Sequence, residues 1–446
     1  LLLDELWDER LSQIDDYTPV DFSSYIERTR ARLADIPEDD QETRMNLIRE
    51  VHHARLFRLF LADMAGRLTV ERLADQLSAL ADATLEIVME EVWKTVPGRH
   101  IERPKFAIVA YGKLGGKELA YASDLDLVFL FEDDAQDAEK IYMRFARRLI
   151  NWLTATTGSG VLFDVDMRLR PNGDSGPIVG SSDMLEEYLM TQGRDWERFA
   201  WLKGRVVNGP VFASEEDFNI QKKNINDIVR PFVYRKYLDF GAISSLTDLH
   251  AKIRLSTQKR ALESLKEGQN IKLGRGGIRE IEFIAQTFQV IRGGRNPFLR
   301  ERSTLKALQA LASENILAKD KAEMLSKIYV FLRNLEHALQ YENDQQTQLF
   351  AADPEHRKRI ARMLGFTVED LQKQIELSTE YVAARFDEIF QTKEEVSEED
   401  WPLGWETGSA EALPALAKVL ERNGFKETEE LSQLILNLMS LRALKL

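Results

Sequence analysis

Hydrophobic residues change their period abruptly near Pro104, and that break leaves few architectures open. Up to about residue 100 the apolar positions recur every three or four residues, as in MNLIREVHHARLFRLFLADMAG and LADQLSALADATLEIVMEEVWKTV, the pattern of amphipathic helices. FAIVAYG (106–112) and DLDLVFLFE (124–132) are then apolar runs of strand length, separated by the glycine-rich stretch from Gly112 to Leu119. A helix is predicted next, with Ile141, Phe145, Leu149, Trp152 and Leu153 on one face. VLFDVDMRLRP (161–171) alternates, so Phe163, Val165, Met167 and Leu169 face one way and Asp164, Asp166, Arg168 and Arg170 the other. That predicts a half-buried strand. PIVG (177–180) reads as a further short strand, with Ser182 or Asp183 capping the helix after it. From about 185 to 390 the helical period returns, and Leu325, Ile328, Leu332, Leu335 and Leu339 form a bundle seam. The fold class expected is α+β, mostly α: a small mixed β-sheet island flanked by helical bundle segments.

Composition narrows the function classes. The 446 residues carry a net charge of −14, with 44% hydrophobic and 30% charged residues, a globular balance. The absence of cysteine excludes disulfide scaffolds, thiolate zinc sites, iron–sulfur clusters and thiol catalysis. No apolar run approaches the ~20 residues of a membrane span, and LLLDELWDER at the start is acidic where a secretory signal is basic. The acidic balance weighs against a nucleic-acid partner, which needs basic surface. A cytoplasmic protein with no membrane association is the expectation. The opening Leu and the closing LSQLILNLMSLRALKL, which stops within an apolar pattern, suggest a piece of a longer polypeptide.

The chemistry concentrates at Ser123-Asp124-Leu125-Asp126, at the start of the second strand. Residues two apart on a strand share a face, so two carboxylates there can converge on one hard cation. Asp166, from a neighbouring strand, would complete a two-metal clamp for displacement at phosphorus, with Mg2+ the natural ion and two ions expected. Gly112, Gly115 and Gly116 allow backbone N–H groups to approach phosphate oxygens. Lys113, Arg168 and Arg170 are candidate phosphate holders. The order of glycine turn, Ser-Asp-x-Asp strand and later third acid matches the nucleotidyltransferase superfamily.

VAYGKLGGKELAYASDLDLVFLFE (109–132) and VLFDVDMRLRP (161–171) resemble the bacterial glutamine synthetase adenylyltransferase/adenylyl-removing family, over about residues 50 to 390. In that family one half of a long chain removes AMP from a glutamine synthetase tyrosine by phosphorolysis, yielding ADP. The other half adds AMP from ATP. GRDWERFAWLKGRVV (193–207), RPFVYRKYLDF (230–240) and IKLGRGGIREIEFIAQTFQVIRGGR (271–295) are similar to the amino-terminal, removing half, whereas LLLDELWDERL and LADMAGRLTVERLADQL resemble the entry to the adding half. The three later motifs favour the removing half. The resemblance implies Asp124, Asp126 and Asp166 as metal ligands and catalytic residues, with Gly115, Gly116 and Ser123 in the nucleotide-binding turn. It also implies glutamine synthetase, a PII signal protein, nucleotide and phosphate as partners. The Gly274-Arg-Gly-Gly277 turn, with Glu280 and Glu282 after it, reads either as a phosphate nest or as a structural helix start.

The expected organisation is a helical region (1–100), a nucleotidyltransferase catalytic domain (101–210), a helical bundle (211–392), then a linker and the start of a further helical segment (393–446). Two other functions stay open: the ATP-dependent adenylyltransferase half, and a non-catalytic regulatory docking domain. Gly173-Asp-Ser-Gly176 imitates a serine-protease signature but lacks a β-barrel around it, so a turn is expected. His52 and His53 diverge by about 100° on a helix and make poor joint ligands. Trp196 and Trp201 are expected to pack rather than stack on a nucleotide.

Overall fold

The computed structural model describes residues 14–207, 215–235, 249–257, 268–343, 347–390, 410–422 and 428–440. Three helices come first: α1 (Ser23–Ala34), α2 (Gln41–Met64) and α3 (Val70–Lys94). Asp40 and Thr69 cap α2 and α3 by accepting from Thr43 and Arg72 N–H groups. Arg44 of α2 and Glu91 of α3 form a buried ion pair. Buried Arg49 donates to the Trp152, Ala155 and Gly160 carbonyls at 2.7, 2.7 and 3.0 Å. Those oxygens lie at and just beyond the end of α5 (Ala138–Thr154), where a cation is electrostatically favoured. The first helices are thereby tied to the sheet region.

That sheet comprises β1 (Phe106–Ala110), β2 (Leu125–Phe131), β3 (Val165–Asp166), β4 (Val179–Ser181) and β5 (Arg205–Val206), with α4 (Gly112–Gly116) between the first two strands. Along β3-β2-β1-β5 the pairs β2·β1 and β1·β5 are antiparallel, while β3 and β4 both run parallel to β2. One face packs Phe106 and Phe129 against Phe145 and Trp93, with Phe106–Phe145 ring centroids 4.8 Å apart. The other face packs on α6 (Ser182–Thr191), α7 (Asp195–Leu202) and α8 (Glu215–Val233).

The predicted strand over 161–171 is much shorter. Only Val165 and Asp166 pair with β2, because the chain then turns: Arg170 N–H donates to Met167 and Gly173 N–H to Arg170. Gly173–Ser175 is indeed a turn, of 3-10 type. The helix after β4 is capped by Ser181, one residue earlier than expected, through Met184 N–H.

Helices α9 (Ile278–Arg292), α10 (Thr304–Ser313), α11 (Lys319–Asn343), α12 (Pro354–Met363) and α13 (Val368–Phe390) follow, with the small antiparallel pair β6 (Gly268–Asn270) and β7 (Leu349–Ala351). The GRGG turn is a structural helix start. Its Gly276 N–H donates to Glu280 at 2.9 Å, and at φ +70° any side chain there would collide with the Thr379 carbonyl. The chain divides into two compact units, at Ala384 and Arg385. In the second, α14 (Leu413–Arg422) and α15 (Thr428–Ser440) bury Leu416, Leu420 and Leu436. Residues 391–409 of the expected linker, and 236–240 of RPFVYRKYLDF, lie outside the described residues. No described helix is long and apolar enough to cross a membrane.

A buried ionic network joins the bundle to the turn after β1. Glu336 of α11 is fully buried and pairs with Lys113 at 2.8 Å and with Arg333. Arg333 also donates to the Glu118 carbonyl. Lys203 bridges Glu118 at 2.6 Å and Glu282 of α9 at 2.7 Å. Glu336→Gln would leave two buried cations short of an anion, and is expected to cost about 3–5 kcal/mol of stability. Urea unfolding followed by circular dichroism reads this as a lowered midpoint; an unchanged midpoint would refute it.

Candidate active site

The parallel register of β2 and β3 builds the site. Asp126 pairs with Asp166 across the ladder, and Leu125 N–H donates to the Asp164 carbonyl at 2.9 Å. Asp124 stands one residue before β2, two from Asp126. The three half-buried side chains each offer a carboxylate oxygen, all within 4.8 Å of one another. An all-carboxylate set so spaced suits a hard divalent cation such as Mg2+ or Mn2+ rather than a thiophilic metal.

Charge at this point is unequal. Burial, followed by Asp124 and Asp166, pushes the Asp126 carboxyl up to about 6, against weaker opposition from Lys272 and Arg168. Asp166 is held below its ordinary value, chiefly by its hydrogen bonds to Arg168. The Arg168 backbone N–H meets Asp166 Oδ1 at 2.8 Å, and its Nε lies 2.8 Å from Oδ2. The Arg168 side chain is otherwise exposed (75%).

The turn before β2 is braced from several sides. Ser123 Oγ accepts from Ala120 N–H at 3.0 Å and from Lys113 Nζ at 3.4 Å. Ala122 N–H donates to Gln340 of α11 at 3.2 Å. Tyr121 and Tyr341 both donate to Asp63 of α2. Lys113 therefore points into the ionic network, where burial pushes its ammonium down to about 8 against the pull of Glu336.

The glycines divide. At Gly112, with φ +53°, any side chain would collide with the Asp126 carboxylate, so only glycine keeps that space open. Gly115 instead packs on the Lys203 and Ala110 carbonyls, and Gly116 near Lys203 and the Arg302 carbonyl. These two border another cavity with Arg205 and Arg302 rather than the three acids. Arg170 does not share the face of Asp166, because the chain has turned: it donates to the Met167 carbonyl at 2.8 Å and the Gly176 carbonyl at 3.3 Å. Arg168 and Arg170 line one cavity of about 460 Å³ with Arg194 and Trp196. Trp201 is buried against Tyr111, as packing predicts, whereas Trp196 is 41% exposed.

Sequence reasoning missed Lys272, which lies close enough to Asp126, Glu282 and Glu336 to favour their ionised forms. Its signal was the IKLGRGG motif, read there for its glycines alone. His52 is a satisfied core histidine, 3.1 Å from Thr84 Oγ1 and pushed down to about 3 by burial.

Comparison with known proteins agrees with this geometry. Residues 1–220 match the family model for glutamate-ammonia ligase adenylyltransferase, and residues 247–392 match that for GlnD PII-uridylyltransferase. Residues 1–220 belong to the glutamate-ammonia ligase adenylyltransferase family. Relatives named bifunctional glutamine synthetase adenylyltransferase/adenylyl-removing enzyme include one from Burkholderia mallei, 42% identical over 74% of this chain and 37% of the relative. Another, from Nitrosomonas europaea, is 39% identical over 87% of this chain and 43% of the relative. A third, from Neisseria meningitidis, is 34% identical over the same shares. The chain spans about two-fifths of the length of these relatives. The family's nucleotidyltransferase character accords with the three acids.

A pKa raised on folding means that the native state binds the extra proton between about pH 4 and 6. The stability from this group is therefore present at low pH and lost as pH rises through about 6. Metal binding runs the other way, since it needs the carboxylate. Asp126→Asn is expected to stabilise the metal-free protein at pH 7.5 by up to about 3 kcal/mol, less at pH 5. It should also remove the stabilisation that Mg2+ gives the parent. Thermal melts at both pH values, with and without Mg2+, check this; a metal-free variant melting below the parent at pH 7.5 would contradict it.

Proposed function

We propose that this chain is the adenylyl-removing half of a glutamine synthetase-modifying enzyme, acting by phosphorolysis. A phosphate oxygen bonds to the α-phosphorus of adenylyl-tyrosine as the bond from phosphorus to the tyrosine oxygen breaks. Tyrosine leaves with a proton, and the adenylyl group departs as ADP. The observation that carries the reading is the convergence of Asp124, Asp126 and Asp166 beside an arginine-lined cavity.

Mg2+, proposed as two ions on these carboxylates, would supply charge neutralisation at the attacking and leaving oxygens. The chain's own contribution is positioning and electrostatics. Arg168 stands at the edge of the acids and holds the incoming phosphate, exchanging its contact with Asp166 for one with the anion. Arg170 anchors the 167–176 loop so that Arg168 and Asp166 keep their relation. Gly112 keeps space beside Asp126 for the nucleotide phosphate. Lys113 and Ser123 brace the turn instead of touching phosphate, and Gly115 and Gly116 hold that turn against the end of α7. The phosphate is already anionic, so no strong general base is needed.

Glutamine synthetase is the proposed protein substrate. The likeness of residues 247–392 to a PII-uridylyltransferase model makes the bundle the proposed region for response to a PII-type signal protein. The relatives' names carry both adding and removing activities, so a substrate swap separates them. Adenylylated glutamine synthetase with phosphate and Mg2+ should release ADP; diphosphate release from unmodified enzyme and ATP alone would establish the adding reaction instead. Asp126→Asn should lower turnover at least about 100-fold with the fold kept. Full activity in that variant would exclude the proposed metal role.

A further inference from the structure

The cavity lined by Arg168, the partner of Asp166, has a wall that the phosphorolysis reading leaves without a task. That wall consists of Arg194 and Trp196, at the start of α7, facing Arg168 and Arg170 across about 460 Å³. Among its lining residues the one carboxylate, Glu197, is buried and accepts from Tyr188 Oη at 2.8 Å and from Arg194 N–H at 2.7 Å. The Arg170 side chain is largely buried and paired with the exposed Asp174 at 3.4 Å, and Arg168 is paired with Asp166, so the open positive charge is that of Arg194 and the exposed side of Arg168. Arg194 has no ion-pair partner among the described residues. The indole of Trp196 is 41% exposed, although Trp201 on the same helix is buried. On a chain of net charge −14 this is a cationic concavity with an uncovered aromatic surface, adjoining a metal-type carboxylate cluster.

From this placement we infer that the Arg194–Trp196 wall docks an acidic peptide segment flanking the modified tyrosine of the protein substrate. The inference rests on the phosphorolysis reading only for the identity of that substrate. An acidic protein approaching this chain meets repulsion over most of the surface, and attraction here. A tyrosine presented to Asp124, Asp126 and Asp166 brings its neighbouring residues across this wall. There guanidiniums can pair with Asp or Glu, and the indole can cover backbone or apolar side chains. The wall acts in substrate selection rather than in the reaction, since Arg194 and Trp196 stand outside the carboxylate cluster.

The test uses two dye-labelled peptides, each with a central tyrosine, one flanked by aspartates and one by asparagines. Anisotropy with the whole chain should show the aspartate peptide binding about 3- to 10-fold more tightly at low salt, with the difference shrinking as salt rises. Arg194→Ser, which keeps a good helix cap, and Trp196→Ala should each reduce that preference. In parallel, both variants should match the parent in phosphorolysis of the AMP ester of N-acetyltyrosine amide, while their KM for adenylylated glutamine synthetase rises. Equal affinity for the two peptides overturns the inference. So does a matching loss on the small ester, which would assign the wall to the nucleotide. Because anisotropy needs no turnover, an inactive chain would sink the phosphorolysis reading and leave the docking result standing.

Discussion

Lys113, Lys203 and Arg333 share buried space with Glu118, Glu282 and Glu336, and the rest of the structure depends on that exchange of charge. Buried ions survive only when paired and hydrogen-bonded. Burial opposes the ionisation of Glu336, yet Arg333, Lys113 and Lys272 hold it well below its ordinary range. Three partners come from the turn after β1 and the end of α7, and three from α9 and α11. The network therefore fixes helices distant in sequence to the loop that carries the acids. Such pairs contribute less to net stability than to a single arrangement, since an apolar core would fill the same volume at lower desolvation cost. Here the arrangement they select is one in which Gly112 meets Asp126.

The three acids meet through a different device. Two residues of parallel ladder suffice to set Asp126 opposite Asp166. Burial, and then the repulsion of two carboxylates so close, make Asp126 hold its proton to about pH 6. Asp166 responds differently because Arg168 already neutralises it. The cluster is thus strained toward accepting positive charge, an arrangement that structural stability alone does not favour.

Much of this was readable from residue patterns. FAIVAYG and DLDLVFLFE became β1 and β2, because apolar runs this short and rich in β-branched and aromatic residues suit a buried strand, and Leu325 to Leu339 became the buried seam of α11. Asp124, Asp126 and Asp166 were legible as a cluster from strand alternation and motif order. The alternation of VLFDVDMRLRP misled beyond Asp166. Side-chain period alone does not make a strand, and here backbone bonds from Gly173 to Arg170 and from Arg170 to Met167 close a turn. Lys272 and Glu336 could not be placed near the acids, since each lies more than a hundred residues away and no local pattern encodes which charges will face each other.

What the residue order determined by itself was local: where helices and strands form, which glycine turn precedes the acid pair, and which side chains can bind a hard cation. These follow from period, backbone freedom and the chemistry of single groups. Tertiary structure alone decided which glycine approaches the acids, that Lys113 belongs to a buried ion network, and that Trp196 stays uncovered while Trp201 does not. Those outcomes depend on packing between segments far apart in the chain. Burial and charge partnership are properties of the assembled interior, not of any stretch of sequence.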